Sequence, residues 1–386
     1  MELVRLKKTD YDEWLALEND VFSRHNGSPM NFERSLPKMC VRDDEHMGKH
    51  FGIREDGRLR AVVGIYPLPV VIAGEKLLFS TVGNVATSPD YEGRGFMRRL
   101  MTAAMDELTL IGADASRLGG LRQRYNNYGY DKCGSLYQFT LSGRNVDKCL
   151  PDFESDQTFE KIPPDDFETL IEANRIQRMC GMAAIRSEEN GCYDVYSSMT
   201  AWKNVPFAAR RADGRIVGYL SVSEDLGRIA ESFAENDDVL FEMIVKWQRE
   251  SEKQLSFGLA PWQAGAVRKF SAICENMSVS TPSSFKIINH ERVASALMKL
   301  KAGYSELPDG EFVLGIKDYG NLRFHSSGGE YGCELCEKSP DLTLDRLSAA
   351  RFLYGPLPPS MTADVRNAFL ESLLPLPLSW NPQDRV

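Results

Sequence analysis

The sequence lacks the features that membrane proteins, secreted proteins and nucleic-acid-binding proteins require. It has no run of about 18 apolar residues, the length of a membrane span, and its first residues, MELVRLKK, contain no apolar signal core. The 46 Lys and Arg are outnumbered by 55 Asp and Glu, which gives a net charge of −9, whereas binding nucleic acid requires a basic face. We therefore expect a cytoplasmic protein that binds neither membranes nor nucleic acid, and the acidic balance suits a cationic substrate such as an amine.

The sequence also lacks a disulfide framework and a clear metal-binding pattern. Its eight cysteines are scattered, and Cys333 and Cys336 are the one close pair. A structural zinc site needs a second such pair or nearby histidines, and of the five histidines His325 alone is near in sequence. Alternation along a β-strand accounts for the pair equally well. We predict free thiols and no metal site.

The length and the hydrophobic patterns predict several mixed α/β units. A chain of 386 residues exceeds one ordinary core. Strand-like and helix-like segments alternate over residues 1–145, which is typical of an α/β domain. Residues 60–72 and 76–87 are rich in β-branched side chains and predict two strands, and the apolar spacing of residues 96–108 predicts an amphipathic helix. Two further mixed blocks follow, over about 150–290 and 291–386.

The segment VGNVATSPDYEGRG (82–95) is the most informative part of the sequence. It predicts a strand that ends near Thr87, a turn, a tight loop and then the helix. A helix N-terminus presents free N–H groups to an anion. Gly93 and Gly95 let the backbone approach a diphosphate, and Arg94 adds a charge-assisted hydrogen bond. The alternative is an ordinary strand–loop–helix that contains two glycines.

The stretch VATSPDYEGRGFMRRLM resembles the acyl-coenzyme A motif of the GNAT superfamily of N-acetyltransferases, whose loop reads Arg/Gln-x-x-Gly-x-Gly/Ala. Gly95 matches this pattern. Two residues depart from the pattern: Glu92 replaces the usual Arg or Gln, and Met97 replaces a small residue. Glu92 puts the affinity for the coenzyme in question, because a carboxylate repels a diphosphate. The resemblance implies that acetyl-CoA is the co-substrate and that no metal takes part. The residues that it implies for binding acetyl-CoA are Val85, Ala86, Thr87, Glu92, Gly93, Arg94, Gly95, Phe96 and Met97.

Residues 125–130, YNNYGY, resemble a signature of one bacterial branch, the enhanced-intracellular-survival (Eis-like) acetyltransferases. This resemblance implies a catalytic GNAT domain over 1–148, a degenerate second GNAT domain over 149–288 and a sterol-carrier-like α/β domain over 289–386. The expected fold class is therefore mixed α/β, or α+β, with two tandem GNAT folds whose central sheets are mostly antiparallel. Relatives in this branch are often homo-oligomers, so the resemblance also implies self-association.

The resemblance implies direct attack of an amine on the thioester, with proximity supplying much of the rate. The Val85 N–H would stabilise the developing oxyanion. The departing thiolate needs a proton, and a phenol with a pKa near 10 is a reasonable donor. Tyr125 matches the position of the general acid in the family that the chain resembles; the alternative is a packing tyrosine. The α-carboxylate of Val386 would act as the base, as in the branch that the chain resembles.

Residues of the acceptor site are less defined by the sequence. Asn84 lies on the strand beside the thioester position, and Glu18 and Asp20 lie on the first helix, where an acid would attract a cationic acceptor. An ordinary solvated acid is the alternative for each carboxylate. The expected acceptor is a primary amine of a small cationic molecule or of a lysine side chain. Two other readings stay open: transfer of a longer acyl or an aminoacyl group to a peptide amine, and a non-catalytic module that binds acyl-CoA or lipid.

Overall fold

A computed structural model describes residues 1–385, whose strands form three sheets. The first third of the chain alternates strands and helices, as predicted. Its strands are β1 (Glu2–Arg5), β2 (His50–Glu55), β3 (Arg58–Ile72), β4 (Glu75–Thr87), β5 (Ala115–Leu118) and β6 (Asp131–Cys133), and its helices are α1 (Tyr11–Asn26), α2 (Phe32–Ser35), α3 (Asp44–Met47), α4 (Phe96–Leu110) and α5 (Arg122–Tyr125).

The middle and last parts of the chain continue the mixed pattern. The middle part contains β7 (Leu136–Leu141), α6 (Gly143–Cys149), β8 (Thr158–Lys161), α7 (Phe167–Met179), β9 (Met182–Ala184), α8 (Glu189–Met199), β10 (Val205–Arg210), β11 (Ile216–Val222), β12 (Arg228–Ala234), α9 (Asp237–Ser251), β13 (Leu255–Leu259), α10 (Ala264–Ser271) and β14 (Asn276–Ser280). The last part contains β15 (Ser283–Ile287), α11 (His290–Ala302), β16 (Gly310–Ile316), β17 (Gly320–Ser327), β18 (Glu330–Cys336), β19 (Leu342–Leu344), α12 (Arg346–Tyr354), α13 (Pro359–Thr362) and α14 (Ala368–Leu373).

The first sheet has the strand order β1-β2-β3-β4-β5-β15-β6, and β9 pairs with β3 beside this path. Its neighbours are antiparallel except β4 and β5, which run parallel from the Phe79–Ala115 pair to the Val82–Leu118 pair. The pairing stops at Val82 although β4 continues to Thr87. The two strands therefore diverge, and a cleft opens between them.

Helices cover both faces of this sheet because each has one apolar stripe. The amphipathic α4 buries Phe96, Leu100 and Leu108 in one cluster with Val82 and Leu118 of the sheet. On the opposite face, α1 buries Trp14 in a cluster with Val62 and other residues of β3 and β4. Removing such stripes from water is the main force that holds helix to sheet.

The second sheet has the order β14-β7-β13-β12-β11-β10-β8, and the third has the order β18-β17-β16-β19. Each contains one parallel pair, β12 with β13 and β16 with β19, among antiparallel neighbours. Strand β7 belongs to the second sheet and β15 to the first, so the chain passes repeatedly between these two sheets. The predicted mixed α/β class with mostly antiparallel sheets is confirmed.

The Pro-rich segment 375–378, which follows α14, is not helical, and the tail packs against the first sheet. Trp380 is almost fully buried. Its ring stacks on Phe79 of β4 at a centroid distance of 5.7 Å and meets the ring of Phe285 of β15 edge-on at 6.3 Å. The tail thereby reaches the strand pair at which the first sheet opens.

Trp380→Ala should destabilise the protein by about 3 kcal/mol or more, because it removes a buried aromatic side chain and leaves a cavity beside Phe79 and Phe285. Urea unfolding followed by circular dichroism measures this change. Trp202→Ala is the matched control, since Trp202 is 40% exposed, and its effect should stay below about 1 kcal/mol. Equal unfolding midpoints for Trp380→Ala and the wild type would contradict the packing of the tail.

Candidate active site

The glycine loop between β4 and α4 has the geometry of an anion site. Gly93 and Gly95 have left-handed φ angles of +75° and +80°. A Cβ added to either glycine would meet no atom within 4 Å, so open space faces the loop. Gly95 occupies the N-cap position of α4, and no side chain within residues 1–385 caps this helix end. The first N–H groups of α4 are therefore available to an anionic ligand.

The charged side chains of this loop lie at its surface. The Arg94 guanidinium pairs with both oxygens of Glu55, at 2.6 and 2.9 Å, and stands over the Tyr91 ring at 5.0 Å. A phosphate that contacts Arg94 would therefore compete with the Glu55 carboxylate for the guanidinium. Glu92 is exposed, where water and salt screen its repulsion of an anion. Phe96 is buried beneath the loop, and Met97 is half-buried.

A β-bulge interrupts β4 where it separates from β5. The register with β3 shifts so that Val62 pairs with Ala86 and Gly64 pairs with Gly83, which leaves Asn84 and Val85 together opposite one residue of β3. Asn84 adopts a left-handed φ of +52°. A bulge leaves backbone groups outside the ladder and re-aims them. This geometry suits an N–H donor at Val85 that serves a ligand in the cleft.

Sequence reasoning did not predict this bulge, although Gly83-Asn84 inside a β-branched segment is a signal for one, since asparagine tolerates the left-handed region. Asn84 is buried, and its amide nitrogen has no hydrogen-bond partner within residues 1–385. A buried amide without a partner costs free energy unless a ligand or water supplies one. Asn84 thus offers an unused donor at the cleft.

Tyr125 lies at the end of α5 in the same apolar cluster as Val85 and Phe96. Its ring packs on Gly120, where an added Cβ would lie 3.0 Å from a ring carbon. Burial raises the pKa of the Tyr125 phenol, with Arg124 partly opposing the shift, so the proton is retained at neutral pH. The nearby Tyr130 is different, because its hydroxyl is fully buried and hydrogen-bonded to Ser116 at 2.7 Å.

The two acids on α1 have contrasting surroundings. Glu18 lies on the buried stripe with Tyr11 and Trp14, and neither of its carboxylate oxygens has a partner within residues 1–385. Burial holds the pKa of the Glu18 carboxyl well above its ordinary value. Asp20 is exposed and pairs with Arg24 at 2.9 Å, one turn further along the helix. Glu18 faces the interior beside β3 and β4, and Asp20 is a solvated acid.

The tail is fixed in the interior by a buried glutamine. Gln383 lies in a short 3-10 turn, Pro382–Asp384. Its side-chain nitrogen donates to the backbone oxygens of Ser198, Met199 and Ala201 at 2.9 to 3.1 Å. These bonds join the tail to the last residues of α8 and to Ala201 just beyond it.

A buried ionic network fixes the next residue. Asp384 accepts a hydrogen bond from the Arg186 guanidinium at 2.9 Å, and Arg186 also binds both oxygens of Glu231 at 2.8 and 2.7 Å. Opposite charges raise the pKa of Arg186 well above its ordinary value, in spite of burial, so the guanidinium stays charged. Val386, the predicted base, lies outside the described residues. The network nevertheless holds the chain rigidly two residues before it.

The close cysteine pair of the sequence lies on β18. Cys333 is buried and Cys336 is half-buried on β18, both with free thiols, and an offset of three residues places them on opposite faces of the strand. Across residues 1–385 no cluster of three or more His, Cys, Asp or Glu is arranged to hold a metal ion. None of the helices in this part of the chain combines the length and the apolar character of a membrane span.

Comparisons with known proteins agree with this geometry. Residues 2–133 match the model of the acetyltransferase (GNAT) domain family. No curated protein sequence matches the chain. Among solved structures, the chain is similar to a GCN5-related N-acetyltransferase from Anabaena variabilis, with a TM-score of 0.66 and 12% identity over 99% of this chain and 98% of that chain.

Two further structures are similar over most of their length. A GCN5-related N-acetyltransferase from Kribbella flavida has a TM-score of 0.62 and 15% identity, over 97% of this chain and 95% of that one. Eis1 from Mycobacterium abscessus has a TM-score of 0.61 and 12% identity, over 91% and 88%. At these identities the likeness concerns the fold. The match of residues 2–133 to an acetyltransferase (GNAT) domain supports the prediction of a transferase, and the solved structures confirm the predicted fold.

Gly95→Val should raise the KM for acetyl-CoA about ten-fold or more, because a branched side chain strains the left-handed N-cap and fills the space in front of the α4 amides. Steady-state kinetics with acetyl-CoA as the varied substrate measures this effect. Gly214→Val is the matched control, since Gly214 also has a left-handed φ, of +86°, and open space around it. An unchanged KM in Gly95→Val, or an equal rise in both variants, would contradict the assignment of the loop.

Proposed function

We propose that this protein transfers the acetyl group of acetyl-CoA to a primary amine by direct attack within a ternary complex. One observation carries the proposal: the β4 bulge, the uncapped α4 N-terminus and buried Tyr125 converge where β4 and β5 diverge. These are the parts that acyl transfer needs, namely an anion site for the diphosphate, an oxyanion donor and a proton donor. Acetyltransferases of this class use acyl-CoA and act on amines, which agrees with the family match.

The residues would act in the following way. The N–H groups at Gly93 to Met97 bind the diphosphate, and the backbone of Val85 to Thr87 binds the pantetheine arm. The neutral amine nitrogen adds to the acetyl carbon, and the Val85 N–H donates to the carbonyl oxygen on which charge develops. The α-carboxylate of Val386 accepts the proton that the amine nitrogen loses, and the carbon–sulfur bond then breaks. Tyr125 gives its proton to the departing sulfur, a role that suits a phenol whose proton is retained at neutral pH.

Two buried groups face the acceptor side of the cleft in this proposal. Asn84 offers its unpartnered amide, and Glu18 offers a buried carboxyl that no cation of residues 1–385 neutralises. A positively charged amine that enters beside Glu18 would favour the ionised carboxylate and be held by it. The acceptor is accordingly a primary amine of a small molecule or of a lysine side chain. Asp20, which is exposed and paired with Arg24, contributes at most to the field at the entrance.

The wider architecture belongs to the same proposal. Residues 1–148 form the catalytic GNAT domain, 149–288 a degenerate second one and 289–386 a sterol-carrier-like domain of an Eis-like bacterial enzyme that self-associates. Helix α9 of the middle part supports the degeneracy, because the Asn236 side chain caps its first N–H groups and Asp237 and Asp238 follow. An anion is disfavoured there. The free thiols agree with a cytoplasmic location.

Tyr125→Phe should lower kcat about 100-fold with little change in the KM for acetyl-CoA, because it removes the general acid but keeps the packed ring. Turnover is measured by thiol release across polyamines, aminoglycosides, amino acids and lysine peptides. Tyr128→Phe is the control, since Tyr128 lies in the same apolar cluster, and it should stay within about twofold of the wild type. Full activity in Tyr125→Phe would contradict the assignment. Tight binding of acetyl-CoA without turnover of any amine would instead favour a non-catalytic acyl-CoA-binding module.

Addition of two glycines after Val386 tests the terminal carboxylate as base. The extension moves this carboxylate while the anchors at Gln383 and Asp384 stay in place, so kcat should fall about 100-fold at neutral pH. A matched control appends the same two glycines to Tyr125→Phe, to measure whether the two losses add. If the extended wild-type chain turns over at the normal rate, the base is another group or water.

A further inference from the structure

A row of side chains crosses the first sheet on the face opposite α4. Tyr66 of β3 pairs with Thr81 of β4, and Thr81 pairs with Arg117 of β5. Residues paired in this way share one face of a sheet. Tyr66 packs with apolar residues of the α2 region, and Trp380 covers Phe79, which lies two residues before Thr81 on the same face. Arg117 is therefore enclosed on the acceptor side of the cleft, where β4 and β5 begin to diverge.

The Arg117 guanidinium is buried, and no residue of the described part of the chain, 1–385, supplies a matching anion. Arg117 is 4% exposed, and its Nε donates to the Ser283 hydroxyl at 2.9 Å. Its Nη1 is buried and has no partner within residues 1–385, and no carboxylate of this range acts on its charge. An unpaired buried charge is costly, so such groups normally have a counter-ion.

The same guanidinium lies beside the segment that carries the proposed general acid. A Cβ added to Gly119 would lie 3.8 Å from its Nη2, and the next residue, Gly120, supports the Tyr125 ring. Arg117 and Tyr125 thus flank consecutive residues of the segment that leaves β5. A ligand group bound by Arg117 would lie close to the reacting centre.

The charges around Arg117 are also positive. Burial and the charge of Arg385 together lower the pKa of Arg117 to about 9. The Lys38 ammonium donates to the backbone oxygen of Gln383 at 2.8 Å, and burial lowers its pKa to about 8, although Asp384 opposes this shift. Asp384 is already bound by Arg186.

The chain itself offers too few anions for this cluster. Lys38, Arg117, Arg186 and Arg385 bring four positive charges. Asp384, Glu231 and the α-carboxylate of Val386 bring three negative charges. The Nε of Arg385 also has no hydrogen-bond partner among the described residues. Even with the terminal carboxylate counted, the cluster has room for a further anion.

We propose that the acceptor carries an anionic group, a carboxylate or a phosphate, in addition to its amine, and that Arg117 binds this group. The inference rests on the proposed acetyl transfer and narrows its acceptor to amino-acid-like or phosphorylated amines. A guanidinium fork matches the two oxygens of such a group and gives it a fixed orientation. Glu18 on the same face would receive the amine end. Polyamines and aminoglycosides, which bring positive charge alone, do not complement Arg117.

Matched pairs of amines that differ in the anionic group alone test this proposal. Lysine is compared with cadaverine, ornithine with putrescine, histidine with histamine, and phosphoethanolamine with ethanolamine. In the wild type, at least one anionic member should have a kcat/KM about ten-fold or more above that of its partner, as expected for a charge-assisted hydrogen bond. A preference for the amino acids over phosphoethanolamine identifies a carboxylate, and the reverse identifies a phosphate. An equal or higher kcat/KM for the member without the anionic group, in every pair, would overturn the proposal.

Arg117→Gln should abolish this preference by raising the KM of the anionic member, while kcat/KM for its partner changes less than about threefold. Arg117→Lys, which keeps a charge without the fork, should restore part of the preference. Arg144→Gln on α6 is the control, because Arg144 is exposed, and it should leave both members unchanged. Equal losses for both members in Arg117→Gln, with thermal unfolding unchanged, would contradict anion binding.

Two measurements separate failure of this inference from failure of the proposed function. If no amine is turned over, calorimetric titration of each pair into the protein with coenzyme A still decides whether the anionic member binds more tightly. If Arg117→Gln does not fold, competitive inhibition of the wild type decides, with carboxylates that lack an amine and with inorganic phosphate as probes. Inhibition by neither probe would overturn the proposal, and turnover of amines without an anionic group would show that acetyl transfer itself stands.

Discussion

The site depends on one constraint, the separation of two parallel strands. Strands β4 and β5 pair from Phe79–Ala115 to Val82–Leu118, and β4 then continues to Thr87 without β5, paired only with β3. Unpaired backbone in the interior must find other partners, and the bulge at Asn84 and Val85 places such groups at the cleft. The glycine loop, α5 and the tail all lie around this opening. Without the divergence, these elements would surround a closed sheet.

The C-terminal tail links the separate parts of the molecule. Trp380 packs on the first sheet, Gln383 bonds to the C-terminal end of α8, and Asp384 joins the buried network of Arg186 and Glu231. A buried ion pair of this kind contributes modest net stability but strongly favours one arrangement, since breaking it leaves an uncompensated charge. The tail is thus held in one position beside the cleft. A catalytic group at the chain end requires such a fixed position.

The buried charges on the acceptor face are of both signs. Within residues 1–385, Glu18 lies beneath α1 without a cation, and Arg117 lies on β5 without an anion. In the interior such charges are favourable only when a partner meets them. A ligand that presents an amine to one and an anionic group to the other would satisfy both, whereas a ligand of a single charge would satisfy one.

Local patterns predicted the elements but not the contacts between distant segments. The strands near 60–72 and 76–87, the helix from Phe96 and the glycine loop were predictable, because each depends on periodicity or on residues within one turn. The burial of Glu18 was also predictable from the sequence, since Glu18 lies on the same helical face as Tyr11 and Trp14. The burial of Arg117 and the pairing of Arg186 with Asp384 could not be predicted. Strand neighbours, and ion pairs between residues 198 positions apart, are set by the topology of the chain.

The most direct test of the account is a crystal structure of the protein with coenzyme A. We expect the diphosphate to bind the backbone N–H groups of Gly93 to Met97. The thiol should lie in the cleft between β4 and β5, close to Val85 and Tyr125. Coenzyme bound elsewhere, or a segment 88–97 that turns away from it, would contradict the account.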